Sequence, residues 1–225
     1  MSAGSHGLAL FGGTFDPFHN GHLRMAIEVR EALGLPRLFL VPAAQPPHKP
    51  NQPVSPAQHR LAMVQAAVAG IEGISVLDVE LRREGPSYTL LTVREVRAAN
   101  AGADVLLLIG ADAFFEIATW YRYEELLAEC DFLLLPRPRS VTDCTSAPGV
   151  RLELEESGCY SLPGRSFRLP GGRKVLCPDF PVLDISSRSI RDKVRRGRSI
   201  RGLVPPEVER YIAAHGLYRE EEKRG

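Results

Sequence analysis

Short apolar runs alternate with helical segments along most of this 225-residue chain. The run from Asp104 to Ile109 (DVLLLI) is apolar after its first residue, which is typical of a strand buried on both faces of a sheet. We predict further strands at Leu8–Phe11, Arg37–Pro42, Ile74–Leu81 and Cys130–Pro136. Strands separated by helices form parallel sheets with right-handed crossovers, so this alternation predicts a doubly wound α/β domain with helices on both faces.

The predicted helices lie between these strands and after the last of them. Apolar residues recur at helical spacing after Asn20, and Ser55 and Ser87 are suitable N-caps for two further helices. The predicted ranges are Asn20–Leu33, Pro56–Ala69, 88–99, a helix from about Ser187, and Pro205–Ala214. We expect one domain over residues 1–225, with a C-terminal helical part at about 186–219.

The segment at about 139–177 differs from the rest of the chain in composition. Pro, Gly, Ser and Thr separate short alternating pieces such as RLELE and SFRLP. Such punctuation is typical of short strands joined by turns. We therefore predict an inserted β-hairpin on the α/β body.

The charge balance excludes a global attraction to nucleic acid or to anionic membranes. The chain has 28 Lys and Arg against 27 Asp and Glu, a formal net charge of +1. Residues 1–11 contain neither Lys nor Arg, and no apolar run reaches the length of a membrane span. We predict a cytoplasmic protein without a nucleic-acid or membrane partner. The four cysteines are dispersed, which disfavours a structural zinc but leaves a disulfide among the last three as an alternative.

The loop GGTFDPFHNGHL follows the first predicted strand and leads into a helix. Its histidines, His19 and His22, could be metal ligands, core residues or donors to a phosphate. Asn20 and Gly21 between them are typical of a loop that enters a helix, which disfavours a buried face. Glycines permit close approach of a ligand, helix N-terminal amides attract anions, and imidazoles donate hydrogen bonds, so a polyphosphate site is favoured. The loop is neither a dinucleotide fingerprint nor a P-loop.

Ligands of doubly wound sheets bind where the strand order reverses, commonly beside the first and fourth strands. This predicts that the histidine loop lies next to Gly110 and Asp112. A second anion site is predicted where Ser186 and Ser187 precede a helix, because Arg191 can reach back to the same ligand. Asp16 is predicted to form a turn.

Six segments in order carry a resemblance to a known family: GGTFDPFHNGHL, QPPHKP, EGPSYTLLTV, LLIGADAFFEIATWYRYEELL, FLLLPRP and DISSRSIR. They resemble the nucleotidyltransferase superfamily with the [HT]-x-G-H signature, and specifically the bacterial nicotinate-nucleotide adenylyltransferases. The resemblance implies a Rossmann-like fold and transfer of AMP from ATP to nicotinate mononucleotide, with Mg²⁺. The products would be deamido-NAD and pyrophosphate, and a homo-oligomer is left open.

The resemblance also implies roles for individual residues. The implied catalytic residues are His19, His22 and Arg191. The implied ATP-binding residues are Gly12, Gly13, Thr14, Phe15, His19, His22, Gly110, Asp112, Ser186, Ser187, Ile190 and Arg191. The implied residues for nicotinate mononucleotide are Thr14, His48, Lys49, Tyr88, Thr89, Trp120 and Tyr121. No side chain is expected to ligate Mg²⁺, which the ATP phosphates would hold.

Other interpretations of some of these residues stay open at the level of sequence. Asp112 also suits a helix N-cap, the single Trp120 also suits a core position, and His48 and Lys49 also suit a solvated loop. Arg188 stands where the family often has threonine, and it is either solvated or a further phosphate contact. The alternative functions are another transferase of the superfamily, such as a pantetheine-phosphate adenylyltransferase, and a nucleotide-binding regulator without turnover. The PSYT and WY segments favour nicotinate mononucleotide as the acceptor.

Overall fold

A computed structural model describes residues 7–46, 54–136, 147–155 and 163–219. Its strands form one eight-stranded sheet in the order β3-β2-β1-β4-β5-β8-β7-β6. The strands are β1 (Leu8–Gly13), β2 (Leu38–Pro42), β3 (Ile74–Val76), β4 (Val105–Gly110), β5 (Asp131–Leu135), β6 (Glu153–Glu155), β7 (Gly164–Arg168) and β8 (Lys174–Pro178).

The first strand lies at the centre of the parallel part of the sheet. β1 pairs in parallel with β2 on one side and with β4 on the other, and Phe11 lies opposite both Leu40 and Leu108. The strand order therefore reverses between β1 and β4, as the sequence predicts. Their carboxyl ends bring the histidine loop and Gly110 to the same edge of the sheet.

Helices cover both faces of the sheet, which confirms the predicted fold class. They are α1 (Asn20–Ala32), α2 (Ala57–Val68), α3 (Val79–Arg82), α4 (Thr89–Ala99), α5 (Ala111–Phe115), α6 (Tyr123–Glu129), α7 (Ser187–Arg195) and α8 (Pro206–Ala214). Alternate residues of β1 face opposite cores: Ala9 packs with α1, α2, α7 and α8, whereas Leu10 packs with α3 to α6. No helix of the described ranges is long and apolar enough to cross a membrane.

The predicted third strand is too long in the sequence analysis. Only Ile74–Val76 is a strand, and Val79–Arg82 forms a short helix. Glu, Leu and Arg have high helix propensity, and a turn here buries Val79 and Glu80 under the sheet. The strand therefore ends at Val76 rather than at the predicted Leu81.

Two predicted N-caps are wrong by one residue. Pro56 and Tyr88 occupy the N-cap positions of α2 and α4, and no side chain caps either helix. Ser55 instead donates its backbone amide to Asp16, and the Ser87 hydroxyl accepts hydrogen bonds from two backbone amides of the loop after β2. Both serines thus join loops rather than cap helices.

The predicted hairpin is present, and it continues the central sheet. β7 and β8 pair antiparallel, β6 adds to β7, and β8 pairs in parallel with β5. The hairpin is therefore hydrogen-bonded to the α/β body through β8. Residues 139–146 and 156–162 of the predicted insertion lie outside the described residues.

Candidate active site

The two histidines of the loop cap the first helix reciprocally. His19 is the N-cap of α1, and its Nδ1 accepts the backbone amide of His22 at 3.3 Å. Nδ1 of His22 in turn accepts the backbone amide of His19 at 3.3 Å. The rings stack with their centroids 3.6 Å apart. Because both Nδ1 atoms are acceptors, the proton of each neutral ring lies on Nε2, which makes each Nε2–H a hydrogen-bond donor.

A side chain at either of two glycines would crowd an aromatic ring of the loop. A side chain on Gly21 would bring its Cβ to 3.0 Å from Nδ1 of His19, and a side chain on Gly13 would overlap the Phe15 ring. By contrast, no described atom lies within 4 Å of the position that a Cβ on Gly12 would take. Gly12 therefore borders open space at the end of β1, consistent with its predicted place beside a phosphate.

The Phe15 side chain belongs to the core, although the sequence places Phe15 among the ATP ligands. Its ring is buried and packs edge-on against His22, with centroids 5.1 Å apart. Phe18 packs against both rings, and its centroid lies 5.3 Å from that of His22 and 5.3 Å from that of Phe15. These rings fix the orientation of His22, and any ATP contact of Phe15 would come from its backbone.

The predicted second half of the anion site lies against the histidine loop. The Ser187 hydroxyl donates to the backbone oxygen of Pro17 at 2.9 Å, and Nη1 of Arg191 donates to that of Asp16 at 2.6 Å. Ser186 caps α7 by accepting the amide of Ser189. The N-terminal end of α7 is thus brought beside the N-terminal end of α1. Ile190 is fully buried in the core, and its contact to ATP stays a prediction.

The end of β4 lies at the same edge of the sheet. Gly110 is the last residue of β4 and occupies the N-cap position of α5. Asp112 lies in the first turn of that helix, so the alternative prediction that it is the N-cap is wrong. Both residues are half-buried.

Only some of the residues predicted to bind the mononucleotide are seen in contact with one another. Tyr88 and Tyr121 stack with centroids 4.3 Å apart, and Tyr121 is 43% exposed. Trp120 is half-buried and packs against the core beneath α4 to α6. Thr89 is the first residue of α4, whose first turn has no side-chain cap. His48 and Lys49 lie outside the described residues.

Arg60 is a buried charge that the sequence analysis missed. It is 1% exposed, and its guanidinium donates to four backbone carbonyls, at 2.6 to 3.0 Å. These carbonyls belong to Thr14, Ala43, Ala44 and Ser55. Burial lowers the pKa of Arg60, and the nearby Asp16 carboxylate opposes that effect. The guanidinium therefore joins the histidine loop to the loop after β2 and to the start of α2.

Asp16 lies in the predicted turn, and its carboxylate also accepts hydrogen bonds from distant segments. Its side chain is buried, Oδ1 accepts the hydroxyl of Tyr218 at 2.7 Å, and Oδ2 accepts the backbone amide of Ser55 at 3.2 Å. Oδ2 also lies 4.0 Å from Nη1 of Arg191. No sequence signal indicated Tyr218, because it lies about 200 residues from Asp16 along the chain.

The comparisons with known proteins agree with this geometry. A family model described as cytidylyltransferase-like matches residues 10–193. A relative from Pseudomonas fluorescens, named "Probable nicotinate-nucleotide adenylyltransferase", is 47% identical over 214 residues, which cover 94% of this chain and 97% of the relative. A relative of the same name from Pseudomonas syringae pv. tomato is 45% identical over 213 residues, which cover 94% of this chain and 93% of the relative. The chain belongs to the nicotinate-nucleotide adenylyltransferase family.

Solved structures of this enzyme family share the fold. A nicotinic acid mononucleotide adenylyltransferase of Plasmodium falciparum, complexed with NaAD, matches with a TM-score of 0.71. The match covers 94% of this chain and 96% of that one at 15% identity, so it shows the fold alone. Membership makes the chain a nucleotidyltransferase, and the substrate contacts of its individual residues stay predictions.

The described residues of the site offer no cluster of side chains for a metal ion. Within the described ranges, no group of three or more His, Cys, Asp and Glu residues could hold one. The metal-ligand interpretation of His19 and His22 also conflicts with their geometry, because Nδ1 of each ring already accepts a backbone amide. Donation to an anion from Nε2 is the chemistry that remains compatible with these caps.

Proposed function

We propose that the protein transfers AMP from ATP to nicotinate mononucleotide, and that the products are deamido-NAD and pyrophosphate. One observation carries the proposal: α7 is hydrogen-bonded through Ser187 and Arg191 to the loop that leads into α1, which brings the N-termini of the two helices close together. Such an arrangement supplies backbone amides and side-chain donors to a single polyphosphate. The names of the relatives support the choice of substrates.

The proposed reaction is a direct substitution at the α-phosphorus of ATP. A phosphate oxygen of the mononucleotide forms the new P–O bond, and the bond to the bridging oxygen of the β-phosphate breaks. The electron pair leaves with pyrophosphate, so no protein nucleophile and no covalent intermediate are needed. Negative charge increases on the leaving group, where Nε2–H of His19 and His22 and the guanidinium of Arg191 would donate hydrogen bonds.

The start of α4 would recognise the acceptor. Its first-turn amides lie at the positive end of the helix dipole, and Tyr88 at the N-cap stacks on Tyr121 beside them. A carboxylate on the pyridine ring would accept hydrogen bonds from these amides, whereas a carboxamide carries no charge to attract. We therefore propose that nicotinate is preferred over nicotinamide mononucleotide.

Magnesium would enter the site with ATP. We propose that the phosphates of ATP, rather than side chains of the protein, hold most of its coordination positions. The ion would neutralise charge on the phosphates, while the hydrogen-bond donors of the protein would orient the triphosphate. The cytoplasmic location and the oligomeric state remain predictions from the sequence.

The test is release of pyrophosphate from ATP and Mg²⁺ with three acceptors in parallel: nicotinate mononucleotide, nicotinamide mononucleotide and phosphopantetheine. We expect the highest kcat/KM with nicotinate mononucleotide. Turnover with phosphopantetheine alone would replace this proposal by another transferase of the superfamily. Binding of ATP without turnover with any acceptor would favour the nucleotide-binding regulator.

A further inference from the structure

The Asp16 carboxylate lies beside Arg191 but does not pair closely with it. Its Oδ2 is 4.0 Å from Nη1 of Arg191, and the same Nη1 donates to the backbone oxygen of Asp16 at 2.6 Å. The Asp16 side chain is 5% exposed and that of Arg191 is 27% exposed. A carboxylate and a guanidinium in such surroundings form strong, often bidentate, hydrogen bonds when they can approach. Other contacts must therefore hold the carboxylate in its position.

Two donors hold it. The Tyr218 hydroxyl donates to Oδ1 at 2.7 Å, and the backbone amide of Ser55 donates to Oδ2 at 3.2 Å. Burial raises the pKa of Tyr218, and the adjacent Asp16 carboxylate raises it further, so the hydroxyl keeps its proton and stays a donor at neutral pH. Together the two donors occupy both oxygens of the carboxylate.

The backbone of Tyr218 is itself in an unusual conformation. Its φ is +64°, in the left-handed region that a bulky side chain rarely adopts. The residue lies just after α8, in the last segment of the described chain, and packs against the core shared by α1, α7 and α8. Its tertiary contacts thus offset the backbone cost and bring a residue of the C-terminal segment to the histidine loop.

We propose that Tyr218 is a positioning residue for ATP: by holding the Asp16 carboxylate, it keeps the guanidinium of Arg191 available for the triphosphate. This inference rests on the proposed function, because it requires Arg191 to bind phosphate. Without the hydroxyl, the carboxylate turns toward Arg191 and forms a closer ion pair. That pair competes with the phosphates for the same N–H groups.

The first test is the Tyr218→Phe variant, which removes only the hydroxyl. We expect its dissociation constant for ATP, measured by titration calorimetry, to rise about three- to tenfold, the effect of losing one hydrogen bond in a network. In steady-state assays the KM for ATP should rise similarly, while the KM for nicotinate mononucleotide stays unchanged. The matched control is Tyr211→Phe, because the hydroxyl of Tyr211 bonds His59 between α2 and α8 rather than the histidine loop. That variant should bind ATP as the wild type does.

The second test distinguishes competition for Arg191 from a general loosening of the fold. Adding Asp16→Asn to Tyr218→Phe removes the negative charge that competes with the phosphates, while the amide oxygen can still accept from Ser55. We expect the double variant to bind ATP more tightly than Tyr218→Phe alone. A purely structural role predicts the opposite, because the second substitution would loosen the loop further.

Two results would overturn the proposal: unchanged ATP affinity in Tyr218→Phe, or weaker binding in the double variant than in the single one. Neither depends on the acceptor, because calorimetry with ATP alone reads the affinity. Failure of the proposed function is seen separately, as absence of turnover by the wild type with every acceptor.

Discussion

A single substitution can separate two roles of His19, the observed N-cap and the proposed phosphate donor. Nδ1 caps α1 by accepting the amide of His22, whereas Nε2–H is the proposed donor to the phosphates. Asparagine is among the best N-cap residues, and its amide group extends only as far as Nδ1 does. His19→Asn should therefore keep the cap and lose the donor. His19→Ala should lose both.

The expected magnitudes differ enough to be measured. Loss of one preorganised donor to a developing charge costs about 2.7 to 4 kcal/mol, which is a hundred- to thousandfold decrease in kcat. Loss of an N-cap costs about 1 kcal/mol of the free energy of unfolding, or roughly 2 to 4 °C in Tm for a chain of this length. We expect both variants to lose turnover and only His19→Ala to lose stability to this extent.

The assay pairs pyrophosphate release at saturating substrates with thermal unfolding of the same samples. A kcat of His19→Asn within about threefold of the wild type, less than 1 kcal/mol in the barrier, would refute the donor role. An equal loss of Tm in the two variants would show that asparagine does not replace the cap. In that case the loss of turnover would report on the start of α1 rather than on Nε2.

Four further substitutions test other residues of the site and of the core around it. His22→Ala should lower kcat at least about a hundredfold, and near-normal turnover in a folded variant would contradict its donor role. Trp120→Ala should raise the KM for nicotinate mononucleotide more than it lowers kcat, and an unchanged KM would tell against a role of Trp120 in binding the mononucleotide. Arg60→Met leaves four backbone carbonyls without their donor, so denaturant unfolding should show a loss of at least about 3 kcal/mol, and a loss below about 1 kcal/mol would count against its bridging role. Glu80→Gln should gain stability relative to the wild type as pH rises from about 4 to 8, whereas a difference independent of pH would contradict the burial of a charge.

The sign of the last prediction follows from the surroundings of Glu80. Burial raises the pKa of this carboxyl, and hydrogen bonds from Thr92 and Ser87 only partly oppose the effect. The folded state therefore binds the proton more tightly than the unfolded state does. The stabilising contribution is complete below the ordinary pKa and is lost as pH rises through the pKa of the folded state. Glutamine does not titrate, and its amide oxygen can still accept from the Thr92 hydroxyl, which now donates at 2.8 Å.

The architecture could be predicted because its signals are local. Each central strand is a continuous apolar run, and each long helix has apolar residues at helical spacing, so element type and order follow from periodicity. The predicted starts of two helices were less accurate, because Ser55 and Ser87 form hydrogen bonds with distant loops instead of capping the helices beside them. The short helix at Val79–Arg82 was missed because burial against the sheet, rather than periodicity, determines it.

The histidine loop and the start of α7 could be paired from the sequence only through topology and family resemblance. What joins them is a set of hydrogen bonds to the backbone of Asp16 and Pro17, which no spacing rule describes. The tautomers of the histidines likewise depend on the caps, which only coordinates reveal. Local sequence thus indicates which side chains could bind a phosphate, and the folded backbone around them determines which of their nitrogen atoms would donate to it.

The charged residues behind the site show why such contacts escape a sequence-based analysis. Arg60 lies in the first turn of an ordinary helix and Asp16 in a Pro-containing turn, where exposed side chains are the norm. Both are buried because each has enough hydrogen-bond partners to offset the loss of water, and those partners come from segments far apart in the chain. A buried charge that joins several loops restricts their movement relative to one another, which is what a site that positions two substrates for direct transfer requires. We therefore expect both residues to support the site by fixing its geometry, without touching a reacting atom.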